Sequence, residues 1–396
     1  MKLSEFGFEY PDHLVAQSPL AERGQSRLLI WDGKSESLRH SRFAQLATEL
    51  RAVLSLSDKV PVLLLVNDSK VYPARIRVQK ESGARGEVLI LSPHSEQNIS
   101  CLLRPLKKLR MGDILVCEQS RRPAFRVTSV NPPRVENVSG LPLIDLMNQE
   151  GEMPLPPYIH RDPAKVNDPS VSATDRLRYQ TVYAKDIGSA AAPTAGLHFT
   201  PAVLTDCAEK NISVASVTLH VGLGTFQPVT TESIHHHQMH SEFCMIPRPT
   251  MSSILDHVKN DWPIIFVGTT SLRTVESVLL RTVGIQPSQA CEQQQPLLSE
   301  FLSAGRLDEE QLIKSSDEWI ATDLFIRPKK RDFIYRPMCG SGIITNFHQP
   351  ESTLVMLIAA LVGYQSWNEI YRQAVAEQYR LFSYGDSSLL IFPGVR

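Results

Sequence analysis

The stretch TPAVLTDCAEKNISVASVTLHVG, from Thr200 to Gly222, decides the fold class, because a helix signal runs directly into a strand signal. Thr200 is a typical N-cap residue, Pro201 suits the first helical position, and Asn211 predicts the end of the helix. The β-branched run from Ile212 onwards predicts a strand. A helix followed directly by a strand indicates an α/β domain.

The same alternation continues towards the end of the chain. The segments that predict it, strands and helices in turn, are PIIFVG (263–268), RTVESVLLRTV (273–283), GIITNF (342–347), STLVMLIAALVG (352–363) and SSLLIF (387–392). Ser352 predicts the N-cap of the helix in the fourth segment. By contrast, the polar stretch 159–179 predicts a long surface loop. The carboxyl-terminal half is therefore expected to form most of an α/β domain.

A different pattern occupies the region from Lys70 to Arg126, where short β-type runs alternate with Gly, Pro, Ser and charged turns. The runs are GEVLILS (86–92), ISCLLRP (99–105), GDILVCE (112–118) and AFRVTSV (124–130). They predict a small barrel or sandwich. We therefore predict a mixed α/β domain formed by both chain ends, with an inserted small β-barrel domain. The expected division is 1–66 for the first part of the α/β domain, 67–152 for the barrel, and 153–396 for the second part, which carries most of the active site.

The predicted barrel is basic. Between Lys70 and Arg126 there are 12 Lys and Arg residues and 5 Asp and Glu residues, although the whole chain has a formal net charge of −1. Such an asymmetry points to nucleic-acid binding. The alternative is a solvated strand-edge surface on which lysines block sheet pairing.

The composition, 42% hydrophobic and 21% charged over 396 residues, is that of a soluble globular protein. The amino terminus lacks a signal-peptide pattern and the longest strongly apolar run, 354–362, is too short to span a bilayer, so we expect a cytoplasmic protein without a membrane segment. The six cysteines are scattered and predict reduced, partly buried side chains. The histidine cluster at 235–240 matches no zinc spacing, so no metal site is predicted.

Polar loops follow several predicted strands, in the place where α/β sheets bind ligands. They are VGTTSLRTVES (267–277), TLHVGLGTF (218–226), TNFHQPEST (345–353) and SYGDSS (383–388). Their hydroxyls, amides, glycines and histidines suit a polar, neutral-to-cationic substrate such as a nucleoside. Each has a structural alternative, because strand-end histidines are often hydrogen-bonded structural residues and Ser, Thr and Asp commonly cap helices. Neither a P-loop nor a G-x-S-x-G elbow is present.

These loops belong to longer strings that resemble the S-adenosylmethionine:tRNA ribosyltransferase-isomerases of queuosine biosynthesis. The carboxyl-terminal strings are YQTVYAKDIGSAAAPTAGLHFT (179–200), TLHVGLGTFQPV (218–229), MHSEF (239–243), VGTTSLRTVES, TNFHQPEST and FSYGD (382–386). The amino-terminal ones are QSRLLI (25–30), VNDSKVYPARI (66–76), LRPLKKLRMGD (103–113) and MPLPPYIHR (153–161). The resemblance spans the chain from Phe6 to Phe392.

The resemblance implies an α/β domain built from both chain ends with an inserted β-barrel. It also implies a reaction in which the ribosyl portion of S-adenosylmethionine is transferred to 7-aminomethyl-7-deazaguanine at the wobble position of a tRNA with a GUN-type anticodon. The products would be epoxyqueuosine, adenine and methionine. S-adenosylmethionine is consumed as a ribosyl donor, without a metal or a membrane partner, and a chain of this size could act as a monomer.

This reaction needs a base for the ribose 5′ carbon beside the sulfonium, and an acid or hydrogen bond for the departing adenine. His198 is the leading acid–base candidate, with His220 and His348 as alternatives, while Glu242 and Asp386 would stabilise the sulfonium or orient a histidine. The residues expected to bind the substrate are Thr194, Gly196, Gly222, Thr225, Thr269, Thr270, Ser271, Arg273, Asn346 and Tyr384. The residues expected to contact RNA phosphates are Arg75, Arg77, Lys107, Lys108, Arg110, Lys329 and Lys330.

Several positions depart from the family pattern, and two of them lie in a predicted ligand-binding loop. Gln349 and Glu351 stand where an apolar residue and a lysine are common. The alternatives are therefore a paralogue acting on another deazaguanine nucleic acid and a non-catalytic RNA-binding protein on the same scaffold. The candidate pocket residues are all present as a set, which favours the enzyme.

Overall fold

The computed structural model describes residues 1–91, 93, 95, 97–105, 109–161, 169–222, 229–291 and 296–394. The strands are β1 (Arg27–Asp32), β2 (Ser37–Arg42), β3 (Val62–Asn67), β4 (Ser69–Val71), β5 (Arg75–Lys80), β6 (Arg85–Ile90), β7 (Ile99–Arg104), β8 (Ile114–Cys117), β9 (Pro123–Val130), β10 (Pro133–Asn137), β11 (Gly151–Glu152), β12 (Asp186–Ser189), β13 (Ile212–His220), β14 (Glu242–Met245), β15 (Ile264–Val267), β16 (Ile320–Thr322), β17 (Gly342–Asn346) and β18 (Ser387–Ile391). The α-helices are α1 (Leu46–Val53), α2 (Leu143–Glu150), α3 (Pro169–Arg178), α4 (Pro201–Glu209), α5 (Arg248–Lys259), α6 (Thr269–Thr282), α7 (Leu298–Ser303), α8 (Glu309–Lys314), α9 (Thr353–Val362) and α10 (Tyr364–Ala376).

The main sheet joins strands from both ends of the chain. Its strand order is β16-β14-β13-β3-β15-β17-β18-β1-β2. Strands β13, β3, β15 and β17 run parallel to one another, whereas β18 is antiparallel to β17 and parallel to β1. This arrangement confirms the predicted mixed α/β domain, with strands from both chain ends in one sheet.

Both faces of this sheet are covered, as the fully buried strand β3 requires. Alternate residues of a strand point to opposite faces. Leu63 and Leu65 pack in the same apolar cluster as α5, α6, α9 and α10, whereas Val62, Leu64 and Val66 pack with α1 and α4. The result is a three-layer arrangement with the sheet in the middle.

The inserted β-barrel is also confirmed. Among the described residues, six antiparallel strands follow the order β5-β6-β7-β10-β9-β8, and pairing of β8 with β5 closes the barrel. Its interior is a separate apolar cluster that α2 helps to cover. Outside the barrel, β4 pairs with β12, which links the segment before the barrel to the segment after it. The boundaries at 66 and 152 remain predictions.

Helix caps account for several element boundaries. Thr200 caps α4 by accepting a hydrogen bond from the backbone N–H of Val203 (3.2 Å), and Ser352 caps α9 in the same way (3.3 Å, Val355), so both predicted caps are confirmed. The helix predicted from Arg273 begins earlier, because Gly268 with φ +91° turns the chain directly from β15 into α6.

The predicted long loop over 159–179 is wrong in its second half, which forms α3. Asp175 and Tyr179, four residues apart, are both buried, so one side of this helical segment packs inward. Asp175 also pairs with Arg161 (2.6 Å), which secures the helix to the preceding loop. The polar composition of the helix obscured this inward face.

All six cysteines are buried and none is in a disulfide. Within the described ranges, no helix is both long and apolar enough to cross a membrane.

Arg51 of α1 joins two loops at the amino-terminal edge of the parallel strands. Its buried guanidinium donates to the carbonyl oxygens of Ser57 (2.6 Å), Val60 (3.0 Å) and Asn211 (3.1 Å), and to that of Lys210 (2.7 Å from Nε). Hydrogen bonds from a charged donor contribute more than neutral ones, about 1.5–3 kcal/mol each. Arg51 therefore fixes the approach to β3 against the end of α4.

Replacing Arg51 by leucine should lower the free energy of unfolding by about 2–4 kcal/mol, because several carbonyl oxygens lose their donor. Urea denaturation measures the change. The control is Arg39→Leu, which removes a half-exposed arginine paired with Glu49 (3.4 Å) and should shift stability by no more than about 0.5 kcal/mol. Equal losses in the two variants would contradict the assigned role.

Candidate active site

The loops predicted to bind ligand meet at one edge of the main sheet. Because β3, β13, β15 and β17 are parallel, their carboxyl ends open at the same edge. Strand β18 runs the other way, so the segment that precedes it arrives at that edge as well. The chain thus brings five loops together there, although they are far apart in the sequence.

The loops after β13, β15 and β17 and the segment before β18 line a cavity of about 850 Å³ together with residues 191–195, and part of this cavity is open to solvent. The wall residues used below come from 191–195, from the start of α6, from the end of β17 and from the segment before β18. They are Thr194, Thr269, Thr270, Arg273, Asn346, His348, Gln349, Phe382 and Ser383, together with Tyr158 and Tyr179. A cavity of this size, with apolar walls and a few polar groups, is typical of a small-molecule site.

The small-residue loop forms part of this wall and packs tightly against the protein behind it. Ala191, Ala192 and Ala195 are buried, and Gly196 lies under the ring of Tyr183. A Cβ atom at Gly196 would lie 2.1 Å from the Tyr183 hydroxyl oxygen. The structure therefore places Gly196 against the protein itself and outside the cavity wall, whereas Thr194 does line the cavity.

An ion pair between Glu242 and Arg273 lies beneath the cavity. Their side chains are each 4% exposed, and Oε2 of Glu242 lies 2.5 Å from Nη1 of Arg273. Oε1 of Glu242 accepts the backbone N–H of Gly222 (2.9 Å), and Nε of Arg273 donates to the carbonyl oxygen of Leu324 (3.2 Å). The pair thus joins α6, β14 and the loop after β13.

Several buried polar atoms of the cavity residues have no hydrogen-bond partner in the described part of the chain. They are Nη2 of Arg273, Oγ1 of Thr270, Oδ1 of Asn346 and the hydroxyl of Tyr179. Leaving such an atom unpaired costs about 1–3 kcal/mol, so native proteins seldom tolerate it without reason. Their concentration around one cavity indicates a bound molecule with several polar groups.

His348 is the histidine that reaches the cavity wall. Its Nε2 lies 2.8 Å from Oγ1 of Thr345, and its backbone N–H donates to the Tyr371 hydroxyl (3.0 Å). Burial lowers the pKa of His348 to about 4. The imidazole is therefore neutral at physiological pH and can accept a proton.

His198 lies behind the wall. Its Nδ1 is 2.8 Å from Oγ of Ser26, and its ring packs on Phe43 with centroids 5.1 Å apart. Burial lowers the pKa of His198 to about 4, although the side chain of Asn346 acts in the opposite direction. His198 is only 4% exposed and lies near Asn346, whose Nδ2 donates to the carbonyl oxygen of Phe382 (3.0 Å).

The other predicted acid–base groups are also held away from the cavity. Nδ1 of His220 lies 2.8 Å from Oγ of Ser69, and its ring stacks on Trp319. Asp386 accepts the backbone N–H groups of Arg27 (2.8 Å) and Arg380 (2.9 Å), so it fastens the start of β1 to the segment before β18. Burial raises the pKa of Asp386.

Some of the remaining predicted substrate residues line the cavity and others do not. Thr269 lines the cavity, whereas the Ser271 hydroxyl donates to the carbonyl oxygen of Val267 (2.9 Å), the last residue of β15. Tyr384 lines a neighbouring cleft rather than this cavity. Thr225 lies outside the described residues.

Of the two departures in the loop TNFHQPEST, Gln349 lines the cavity and Glu351 does not. Sequence reasoning missed Tyr158, Tyr179, Phe382 and Ser383 as wall residues. Tyr158 and Phe382 pack with ring centroids 5.0 Å apart, and the Tyr158 hydroxyl lies 2.5 Å from Oγ of Ser383. All four stand within the strings that carry the family resemblance, and this position was the available signal.

The arginines predicted to contact RNA are partly occupied by acidic neighbours. Arg77 makes a bidentate pair with Glu152 (2.7 and 3.3 Å), and Arg75 lies 3.7 Å from Glu87. The Arg110 side chain is exposed, and Lys330 pairs with Asp332 (2.9 Å). Lys329 is half-buried, and Lys107 and Lys108 lie outside the described residues.

The whole chain is similar to known proteins. A family model described as "Queuosine biosynthesis protein" matches residues 3–390. The S-adenosylmethionine:tRNA ribosyltransferase-isomerase of Staphylococcus haemolyticus is 37% identical over 395 residues, covering 99% of this chain and 100% of the relative. Proteins of the same name from Legionella pneumophila (strain Paris) and Desulforamulus reducens are 37% identical over 391 and 394 residues, with the same coverage. A crystal structure of S-adenosylmethionine tRNA ribosyltransferase from Thermotoga maritima is 25% identical, with a TM-score of 0.46, and covers 98% of this chain and 100% of that one.

The buried ion pair should show strong energetic coupling. Glu242→Gln keeps an acceptor for Gly222 but leaves the Arg273 charge unpaired, so unfolding free energy should fall by about 3–5 kcal/mol. Adding Arg273→Met removes that buried charge, and the double variant should lose less than the sum of the two single losses. Urea unfolding of all four proteins measures the cycle. Additive losses would show that the two groups do not interact energetically.

Proposed function

The chain belongs to the family of queuosine biosynthesis proteins that includes the S-adenosylmethionine:tRNA ribosyltransferase-isomerases, and from this premise we infer that it is such an enzyme. It transfers the ribosyl portion of S-adenosylmethionine to 7-aminomethyl-7-deazaguanine in tRNA and rearranges it to form epoxyqueuosine. Adenine and methionine leave. The observation that carries this conclusion is 37% identity over 99% of the chain and 100% of the relative.

The proposed RNA partner is a tRNA with a GUN-type anticodon, modified at the wobble position. The aminomethyl group of the deazaguanine has to reach the ribose of S-adenosylmethionine, so the base is expected to leave its stack and enter the cavity mouth. Aromatic wall residues such as Tyr158 and Phe382 offer flat surfaces against which a purine or deazapurine can pack.

We assign S-adenosylmethionine to the cavity of about 850 Å³. Nη2 of Arg273 is the free donor for the methionine carboxylate, and the first backbone N–H groups of α6 favour an anion at the same place. Oγ1 of Thr270 and Oδ1 of Asn346 are free to bond the ribose hydroxyls or the adenine amino group. Glu242 holds Arg273 in position through their ion pair.

We propose His348, rather than His198, as the base that takes the proton from the ribose 5′ carbon. It is the predicted histidine on the cavity wall, and its low pKa keeps it neutral. Once protonated, the same imidazole can give the proton to the departing adenine, which needs one. His198 is then a positioning residue that acts through Asn346.

The function is tested by incubating the purified protein with S-adenosylmethionine and an anticodon stem-loop that carries 7-aminomethyl-7-deazaguanine. Adenine and an RNA product with the added epoxy-dihydroxycyclopentyl group should appear in equal amounts. Chromatography measures adenine, and mass spectrometry measures the RNA. Release of S-adenosylhomocysteine with a methylated RNA would contradict ribosyl transfer, and RNA binding without adenine release would favour the non-catalytic alternative.

Replacing His348 by alanine should lower kcat by about 10²- to 10⁴-fold, because the base is lost. In the wild-type protein, kcat should fall on the acidic side only as the pH approaches about 4, where the His348 imidazole becomes protonated. Adenine release measured from pH 4 to 8 reports both effects. His198→Ala should cost less than His348→Ala, and the exposed His236→Ala serves as the control. A kcat within threefold of wild type in His348→Ala would remove this histidine from the chemistry.

A further inference from the structure

A second cleft lies beside the proposed S-adenosylmethionine cavity and has no role in the reaction as derived above. It is open to solvent and has a volume of about 320 Å³, solvent-filled part included, between the segment Pro19–Arg23 and the segment Ser383–Gly385, with Arg178 at its side. Ser383 lines both the cleft and the cavity, so the two spaces are neighbours. A group bound in the cleft would therefore lie close to the reacting molecules.

The cleft is surrounded by arginines that lack acidic partners. Arg23 and Arg178 line it together with His198, and Arg380 lies outside the lining but near His198. Among the described residues, no carboxylate forms an ion pair with any of these three guanidinium groups. Burial lowers the pKa of Arg23, and the neighbouring charge of Arg178 lowers it further. Such mutual repulsion is unfavourable unless an anion binds between the charges.

The arginines are held in place by backbone carbonyl groups. Arg23 donates to the carbonyl oxygens of Gln180 (2.5 Å) and Leu177 (2.7 Å), at the end of α3. Arg178 donates in the opposite direction, to the carbonyl oxygens of Leu20 (2.5 Å) and Ala21 (3.0 Å). These neutral acceptors fix the positions of the guanidinium groups without cancelling their charge. The site is therefore preorganised for a ligand.

Unused donors face the same place. The Tyr384 hydroxyl is buried, lines the cleft, and has no partner among the residues that the structure describes. Nε of Arg178 and Nη1 of Arg380 are likewise buried without a partner in the described ranges. A tyrosine 4% exposed with an unpaired hydroxyl, next to unpaired guanidinium nitrogens, is complementary to an oxyanion.

We propose that the cleft formed by Arg23, Arg178 and Tyr384 binds a backbone phosphate of the RNA substrate, next to the nucleotide that reacts. This inference rests on the proposed function and adds a contact point to it. The S-adenosylmethionine carboxylate is the other available anion, but the unpaired Nη2 of Arg273 already offers it a donor inside the cavity. Arginines positioned by fixed carbonyl groups are well suited to bidentate recognition of a phosphate.

The phosphate site is located on the α/β domain, although the basic composition of the barrel pointed elsewhere. Arg75 and Arg77 of the barrel form ion pairs with Glu87 and Glu152, whereas no described carboxylate forms an ion pair with Arg23 or Arg178. The carboxylates of Asp175 and Asp386 interact with Tyr384 and Arg380 only at longer range. The charge that is free to bind phosphate is therefore found beside the reaction cavity. The barrel can still contact more distant phosphates.

The test measures KM for S-adenosylmethionine and for the anticodon stem-loop carrying 7-aminomethyl-7-deazaguanine, in Tyr384→Phe and Arg23→Gln. We expect KM for the stem-loop to rise about 5- to 20-fold in each, with KM for S-adenosylmethionine within twofold of wild type. Removing the Arg23 charge should also reduce the slope of log affinity against log salt by about 0.7–0.9. Arg372→Gln, which removes an exposed arginine paired with Glu369 (2.6 Å), is the matched control and should change neither value.

A stem-loop with one neutral methylphosphonate at a time identifies the phosphate. At one position, neutralisation should weaken binding to the wild-type protein but cause no further loss in Tyr384→Phe, which retains the tyrosine ring and the fold. Direct binding of the stem-loop tests this even if no adenine is released, so failure of the reaction and failure of the phosphate site are distinguishable. If only the KM for S-adenosylmethionine rises, the cleft binds the carboxylate of S-adenosylmethionine instead. If stem-loop binding is unchanged in both variants, the arginines serve only to hold the fold together. Either result would overturn the proposal.

Discussion

The directions of the central strands determine where this molecule can act. Four neighbouring strands, β13, β3, β15 and β17, point the same way, so each delivers its following loop to one edge. Strand β18 is reversed and delivers its preceding segment to the same edge. The barrel is also inserted there, because the chain leaves β3 at Asn67 and enters the barrel at Arg75. A nucleic acid lying on the barrel would thus be next to the cavity.

The polar groups at this edge fall into two kinds. Some are fully engaged within the protein, such as Asp386, whose two oxygens each accept a backbone N–H, and Ser271, whose hydroxyl donates to the carbonyl oxygen of Val267 in β15. Others, such as Oδ1 of Asn346 and Nη2 of Arg273, are buried and unpaired in the described part of the chain. The first kind holds the loops in place, and the second kind is available to a ligand. Residue type alone does not separate them, since both kinds contain hydroxyls, amides and charges.

This difference determines which features of the structure could be predicted from the sequence. The mixed α/β domain, the inserted barrel, the family and the caps at Thr200 and Ser352 follow from local patterns, and all are confirmed. Local patterns do not predict that His198 lies deeper below the cavity wall than His348. That difference depends on how Phe43 and Asn346, which are distant in sequence, pack around the site. Likewise, the pairing of Arg77 with Glu152 joins the neighbouring strands β5 and β11, which are far apart in the sequence. Neither the reversed direction of β18 nor the early start of α6 directly after Gly268 is visible in hydrophobic periodicity. The roles of the site residues remain predictions.

The position of β18 also has a consequence for how the protein is made. This strand follows all the other described strands in the chain, yet it lies between β17 and β1 and pairs with both. During synthesis, β1 and β2 therefore cannot join the main sheet until β18, the strand that connects β1 to β17, has been made. The barrel strands pair with strands close in sequence, so the barrel can form early. The segment Phe382–Ser383, which completes the cavity, is positioned only with that last strand. Ligand-binding ability should consequently arise late, in one cooperative step, and an unfinished chain would neither capture S-adenosylmethionine nor hold tRNA unproductively.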